Sequence, residues 1–293
     1  MRNHDCLSYG LEIQVIYQYT TIEALAQILK NQTIRFTRLD KVDDLEEGRI
    51  ESQSIKLSKH LFVSCWTEER DENIPLWKMY AGDRGGVRIG LDVDMFREYY
   101  VDDLMLGGEK ATGSAIMKLP RDELMSSDYF VLPIFNANES PFFRKVEYVD
   151  SVERALSGIV HKKERVISVL PNGDVNKQVD LSINMHKVGA VKHSRWSFEA
   201  ECRFTLMILK GNPYINPTDK AIDLMLANLV NEESVDFTYY DMHLSPSAFD
   251  NMEITMSPSS LPGQRIIVES LCTSFAPKAI VRDSDLRDLV KLK

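Results

Sequence analysis

The sequence predicts an α+β fold, a single domain over residues 1–293 with a central mixed or antiparallel sheet and peripheral helices. Three observations predict it. Several short stretches alternate apolar and polar residues with period two, the signature of half-buried strands. Helical periodicity fills segments of unequal length between them, so no regular βαβ rhythm runs through the chain. A hydrophobic content of 44% over 293 residues is ample for a core.

Ile13, Val15, Tyr17 and Tyr19 alternate with Glu12, Gln14 and Gln18, which makes 12–19 the first strand. Thr20 followed by Glu23 is a capping-box pattern. Ile22, Leu25, Ala26 and Leu29 supply the apolar stripe of a helix that ends at Asn31. Residues 33–37 (TIRFT) read as a short strand, and the charged run 38–48 as a loop entering a polar helix. The nearly continuous apolar run 61–66 (LFVSCW) predicts a strand buried on both faces. Pro75 opens a short helix carrying Trp77 and Tyr80 on one side. Gly82, Gly85 and Gly86 then turn the chain into a strand over 86–93.

Residues 104–142, punctuated by Gly and Pro, read as a long irregular excursion with some helix. A strand follows over 143–149, then a helix from Val152, a turn at 171–173 (PNG) and a helix over 176–190. From Phe198 the chain alternates strictly. Phe198, Ala200, Cys202 and Phe204 fall on the core side of a strand, and Glu199, Glu201 and Arg203 on the other. Asn216-Pro217 opens a helix with Ile222, Met225, Leu226 and Leu229 on one face. Residues 231–264 look loop-rich, 265–268 and 279–281 read as late strands, and Ser284 caps a final helix over 285–291.

A formal net charge of −9 and a pI near 5.3 argue against a generic nucleic-acid binder held by phosphate contacts. Cys6, Cys65, Cys202 and Cys272 show neither pairing nor metal-like spacing, as expected in a reducing compartment. No apolar run approaches the roughly 18–20 residues of a membrane span, and the first residues lack a signal-peptide pattern. The expectation is a cytoplasmic protein with no membrane partner. GxxxxGK[ST], GxGxxG, HExxH, CxxC pairs and GxSxG are all missing. His186 and His193 have no companion at ligand spacing, so no metal site is expected.

Four groups of residues carry candidate chemistry. Tyr17, Tyr19 and Thr20 end the first strand, where two tyrosines on one face either pack in the core or stack a planar ligand. Arg35 leads into the acidic run Asp40, Asp43, Asp44, Glu46 and Glu47, which is either a solvated face or a partner for an arginine or cation. Ser64 and Trp66, followed by Trp77 and Tyr80, either hold a ligand against an aromatic ring or form ordinary core. Lys192, Trp196, Glu199, Glu201 and Arg203 either wall a cleft or form a surface salt-bridge ladder of little energetic consequence.

The order of these pieces resembles a bacterial family catalogued as domain of unknown function 2971. The resemblance rests on Tyr17-Gln18-Tyr19-Thr20, Ile34-Arg35-Phe36-Thr37 with Asp43-Asp44-Leu45-Glu46, and Ser64-Cys65-Trp66-Thr67. Leu76-Trp77-Lys78-Met79-Tyr80-Ala81 before Gly86-Val87-Arg88-Ile89, Val146-Glu147-Tyr148, and Lys192 to Arg203 complete it. It covers about 12–209 and leaves 210–293 as a C-terminal extension. Asp43-Asp44 stands where that family more often has Asn-Asp-Pro. The family name supplies no activity.

A more remote similarity is to ADP-ribosyltransferase-like folds. It is carried by Tyr17–Thr20, Ser64–Thr67 and Glu199-Ala200-Glu201 in that order, without the usual His or Arg of the first strand. The similarity implies NAD as substrate. Glu201 or Glu199 would be catalytic, Tyr17 or Tyr19 would position nicotinamide, and Arg35 or Arg38 would contact phosphate. It also implies a macromolecular acceptor, nucleic acid or protein, or hydrolysis of NAD, in the setting of a toxin or phage-defence effector. Two other readings stand beside it. One is a non-catalytic module sensing a nucleotide or partner; the other is a metal-dependent nuclease built on Asp43, Asp44, Glu199, Glu201 and Lys192.

Overall fold

A computed structural model describes residues 14–48, 51–52, 55–82, 85–106, 109–132, 142–169, 175–184, 187–213, 215 and 221–292. The first strand, β1, spans Val15–Thr21, and the expected residues 12–13 lie outside the described set. Helix α1 (Ile22–Asn31) starts one residue later than the capping-box pattern predicts. Thr21 is its N-cap, accepting from the Ala24 amide at 3.2 Å, so Glu23 falls out of phase with a box. Leu25 and Leu29 bury its stripe. Strand β2 (Thr33–Arg38) follows, then a one-turn helix α2 (Leu45–Gly48) inside the acidic run.

Strand β3 (Leu61–Thr67) is buried on both faces almost throughout, as the apolar run predicts. Asn73 caps helix α3 (Ile74–Tyr80), and strand β4 (Gly86–Asp92) lies antiparallel to β1 over seven paired positions. The predicted strand over 143–149 breaks at Val146 into β5 (Phe143–Lys145) and β6 (Glu147–Val149). Beyond it come β7 (Val191–His193), β8 (Glu201–Lys210) and helix α4 (Ala221–Val230). The expected helix start at 216–217 lies outside the described residues. Strands β9 (Tyr239–His243) and β10 (Glu253–Met256), helix α5 (Pro262–Phe275) and strand β11 (Ile280–Arg282) complete the chain.

The main sheet runs β5–β8–β3–β1–β4–β10–β11, with β2 pairing β3 and β9 pairing β2. Only β10 and β11 are parallel within that path, so the sheet is mixed and the fold is α+β. Its principal core packs Ile16, Phe36, Phe62, Phe96 and Phe204 against α1 and α5 side chains such as Leu25 and Val268. The C-terminal segment is therefore not appended. It supplies β9, β10 and β11 to the sheet.

Several expectations are corrected. The 104–142 excursion does hold a turn of helix, Arg121–Leu124, but it is largely strand: most of a hairpin, Tyr99–Leu106 with Glu109–Met117, and the strand Tyr129–Val131. The predicted helix over 176–190 is instead a strand, Val175–Ile183, paired antiparallel with Val160–Val169; the turn at 171–173 lies outside the described residues. The loop-rich 231–264 holds β9 and β10. The predicted strand at 265–268 belongs to α5, where Ile266 and Ile267 are exposed and only Val268 points inward. Pro262 at the start and Gln264 accepting from the Leu261 amide at 2.7 Å favour the helix there. Within the predicted helix 285–291, residues 285–289 form turns rather than a helix, although the Ser284 hydroxyl does accept from the Leu286 amide.

Candidate functional site

The stretch that matters most departs from its predicted geometry. Ser194–Glu199 is a 3₁₀ helix, not strand, and Ala200 reverses it in the left-handed region with φ 43°. Three side-chain contacts hold this turn. His193 Nδ1 accepts from the Arg195 amide at 3.1 Å, Asn73 Nδ2 donates to the Phe198 carbonyl at 2.6 Å, and Thr67 Oγ1 donates to the Ala200 carbonyl at 3.1 Å. Glu199 and Glu201 thus approach from different directions, yet they meet at one lysine. Lys192 Nζ lies 2.5 Å from Glu199 Oε2 and 3.2 Å from Glu201 Oε2.

Neither carboxylate faces open solvent. Glu199 is 4% exposed, Glu201 6% and Arg203 0%, which overturns the surface-ladder reading. Arg203 grips Glu201 through Nε and Nη2 at 2.8 and 2.7 Å, and its Nη1 donates to the Gly189 carbonyl at 3.1 Å. Burial alone would raise the Glu201 carboxyl. The Arg203 and Lys192 charges outweigh it and hold the group down at about 2. Glu199 goes the other way, raised by burial against the pull of Lys192. Its Oε1 accepts from the Tyr80 hydroxyl at 2.9 Å, and burial pushes that phenol far up.

These groups line a cavity of about 310 Å³. Its origin is a fork in the sheet. β3 pairs with β1 only at Tyr17 and Thr67, then leaves it to pair with β2 through Val63 and Phe62. Gln18 bridges the fork by donating to the Cys65 carbonyl at 3.0 Å. Tyr17 and Tyr19 line one side, and Ser64 and Trp66 another, the indole donating to Ser64 Oγ at 3.0 Å. Arg35 and Lys41 stand at the half-exposed rim, and Trp196 covers Lys192 with its ring centroid 4.6 Å from Nζ. Tyr17 lies so close to Gly90 that a Cβ there would come within 2.9 Å of its ring; Arg88 sits 4.4 Å from the ring centroid.

Two predicted site residues stand apart. Thr20 pairs with Val87 in the sheet and does not line the cavity, and Trp77 is fully buried, edge-on to Tyr19, with Nε1 donating to Glu72 at 2.8 Å. Arg38 is likewise elsewhere, clasping Asp40 and donating to the Val235 carbonyl. Cys65 lines the cavity, but burial and the Glu201 charge push its thiol well up, which makes it a poor nucleophile.

The sequence left Asp44 and Glu47 open between a solvated face and a partner for an arginine or cation. They are 6% and 1% exposed, they line the cavity and Glu47 faces Arg203, so the second alternative holds. Asp44 Oδ1 accepts from the Glu46 amide at 2.9 Å, which starts α2 and turns Glu47 toward Arg203 at 3.1 Å. The available signal was slight: the two residues are three apart and so share a side of one helical turn. Among the described residues no group of three or more His, Cys, Asp or Glu is disposed to hold a metal ion. No helix among them is long and apolar enough to cross a membrane. Compared with known proteins, the chain matches no family model, no curated sequence and no solved structure at a significant level.

Proposed function

We propose that the cavity binds NAD and that the protein is an ADP-ribosyltransferase-like enzyme. It would transfer ADP-ribose to a macromolecule, nucleic acid or protein, or to water. One observation carries the reading. The first-strand tyrosines, the Ser64–Thr67 step and Glu201 come from neighbouring strands of one sheet, Glu199 from the turn that leads into the last of them, and all line one cavity.

The bond between ribose C1′ and the nicotinamide nitrogen breaks with its electron pair passing to the ring, which leaves neutral. An acceptor oxygen or nitrogen then bonds to C1′ and gives up a proton. Positive charge develops on the ribose in between, and a fixed carboxylate offsets it. The geometry favours Glu199 as the carboxylate that touches the sugar. Tyr80 and Lys192 supply one donor to each of its oxygens, which leaves a further lone pair on each for a ribose hydroxyl. Glu201, filled by Arg203 and Lys192, is the positioning residue that holds both cations. Arg35 and Lys41 at the rim suit the diphosphate, and Tyr17 and Trp66 offer aromatic surface to the ring. Consumption of NAD in a bacterium fits a toxin or phage-defence effector.

The test is nicotinamide release from NAD by purified protein, with and without cell lysate as acceptor source. Release should fall about 10²–10³-fold in Glu199→Gln, the loss typical of removing one transition-state contact. No release with any lysate, or undiminished release in a folded Glu199→Gln protein, overturns the enzyme.

A further inference from the structure

The inner wall of the cavity carries a charge imbalance that the proposed reaction does not explain. Four carboxyl groups, Asp44, Glu47, Glu199 and Glu201, are each at most 6% exposed. They share two buried cations, Lys192 and Arg203, which leaves a formal excess of two negative charges. The excess is localised. Lys192 and the Arg203 fork serve Glu199 and Glu201, whereas Asp44 Oδ2 and Glu47 Oε1 receive no hydrogen bond. Glu47 Oε1 lies 3.1 Å from Arg203 Nη1 as an ion pair without an aligned hydrogen bond, and one N–H of that nitrogen goes to the Gly189 carbonyl. Native proteins seldom leave buried carboxylate oxygens without a donor, and each such group calls for a partner.

We propose that the wall formed by Asp44 and Glu47 is a subsite for a cationic ring, which selects pyridinium N-glycosides over neutral purine or pyrimidine nucleosides. The identity of the ring rests on the NAD reading of this site; the preference for a cation rests only on the wall. Burial pushes up Glu47, which faces Arg203, Glu201, Lys192 and Asp44, and Glu199, which faces Lys192, Glu201 and Tyr80, so both hold a proton more readily than a free carboxyl. A bound cation favours their charged forms, so cation affinity rises with pH through their titration and binding there releases protons. The wall holds the ring only while it is charged. Once the glycosidic bond breaks, nicotinamide is neutral and the attraction lapses, so the subsite favours substrate binding and product release rather than bond breaking itself.

The experiment titrates the protein with 1-methylnicotinamide, a cation, and nicotinamide, the neutral ring, following the fluorescence of Trp66 and Trp196. The cation should bind about tenfold or more tightly, as expected for a ligand charge desolvated against a buried carboxylate. Glu47→Gln and Asp44→Asn, each checked for a wild-type circular dichroism spectrum, should erase the preference, bringing 1-methylnicotinamide down to the affinity of nicotinamide in the same variant. Calorimetry in buffers of different ionisation enthalpy should register proton release by the wild-type protein. Equal binding of the two rings, failure of both to bind, or a preference that survives in both variants overturns the subsite. The two ideas fail separately. Cation preference without NAD cleavage removes the enzyme and keeps the subsite, and NAD cleavage without ring preference does the reverse.

Discussion

Glu47 and Glu201 both approach the Arg203 guanidinium, yet burial wins at Glu47 and charge wins at Glu201, so the two carboxyls shift in opposite directions. Glu201 has a folded-state value of about 2, below that of a free carboxyl. Its stabilisation is therefore present above the unfolded value of about 4.3 and fades as pH falls toward 2. Glu47 is raised by burial, so its contribution is present below about 4.3 and is lost as pH rises through its raised folded value. Replacing Glu47 with glutamine removes the second dependence and leaves the first. The melting temperature of Glu47→Gln relative to wild type should thus climb as pH rises from about 4 to 8. Thermal melts across that range check it. A constant or falling difference would mean that Arg203 holds Glu47 ionised and that burial does not dominate there.

At the scale of elements, the 3₁₀ turn from Ser194 to Glu199 is what places Glu199 opposite β8's own carboxylate. It ends at Ala200 with φ 43° and ψ 49°, a conformation that costs an L-residue roughly 1–2 kcal/mol. The turn persists because Asn73, Thr67 and His193 each bond to it. Glycine tolerates that conformation freely but has more freedom to lose from the unfolded chain, by about 0.4–1 kcal/mol. Ala200→Gly should therefore raise stability by a few tenths to about 1 kcal/mol, the difference of those two effects. A urea midpoint shifted upward at constant slope is the expected reading. A downward shift would show that the alanine methyl group has a packing role that outweighs the strain.

For the molecule as a whole, the legible parts were those whose side chains report burial directly. β3 announces itself as an apolar run and β1 and β4 as alternation, because strand periodicity survives in sequence whatever lies alongside. The site was half legible. Lys192, Glu199, Glu201 and Arg203 stood out, but strict alternation hid the Ala200 reversal, which depends on Asn73 and Thr67 far along the chain. Asp44 and Glu47 stayed open between a solvated face and a partner for an arginine because the guanidinium beside Glu47 lies on a strand that sequence does not bring near. The 265–268 segment misled because consecutive Ile, Ile and Val suit a strand, whereas a helix buries only one of the three. The family-like stretch 12–209 is not free-standing within the single domain the sequence predicts. β10 pairs with β4 over four positions and β9 with β2 over five, and Val268 and Cys272 of α5 close the principal core. Ending the chain at residue 209 would strip β2 and β4 of those partners and expose Val87, Ile89 and Phe36, all fully buried. The truncated protein should aggregate or melt without a cooperative transition, whereas the full chain melts cooperatively. Gel filtration and near-ultraviolet circular dichroism decide it. A monomeric, cooperatively melting 1–209 protein would show that β9, β10 and α5 only decorate a sheet that closes without them.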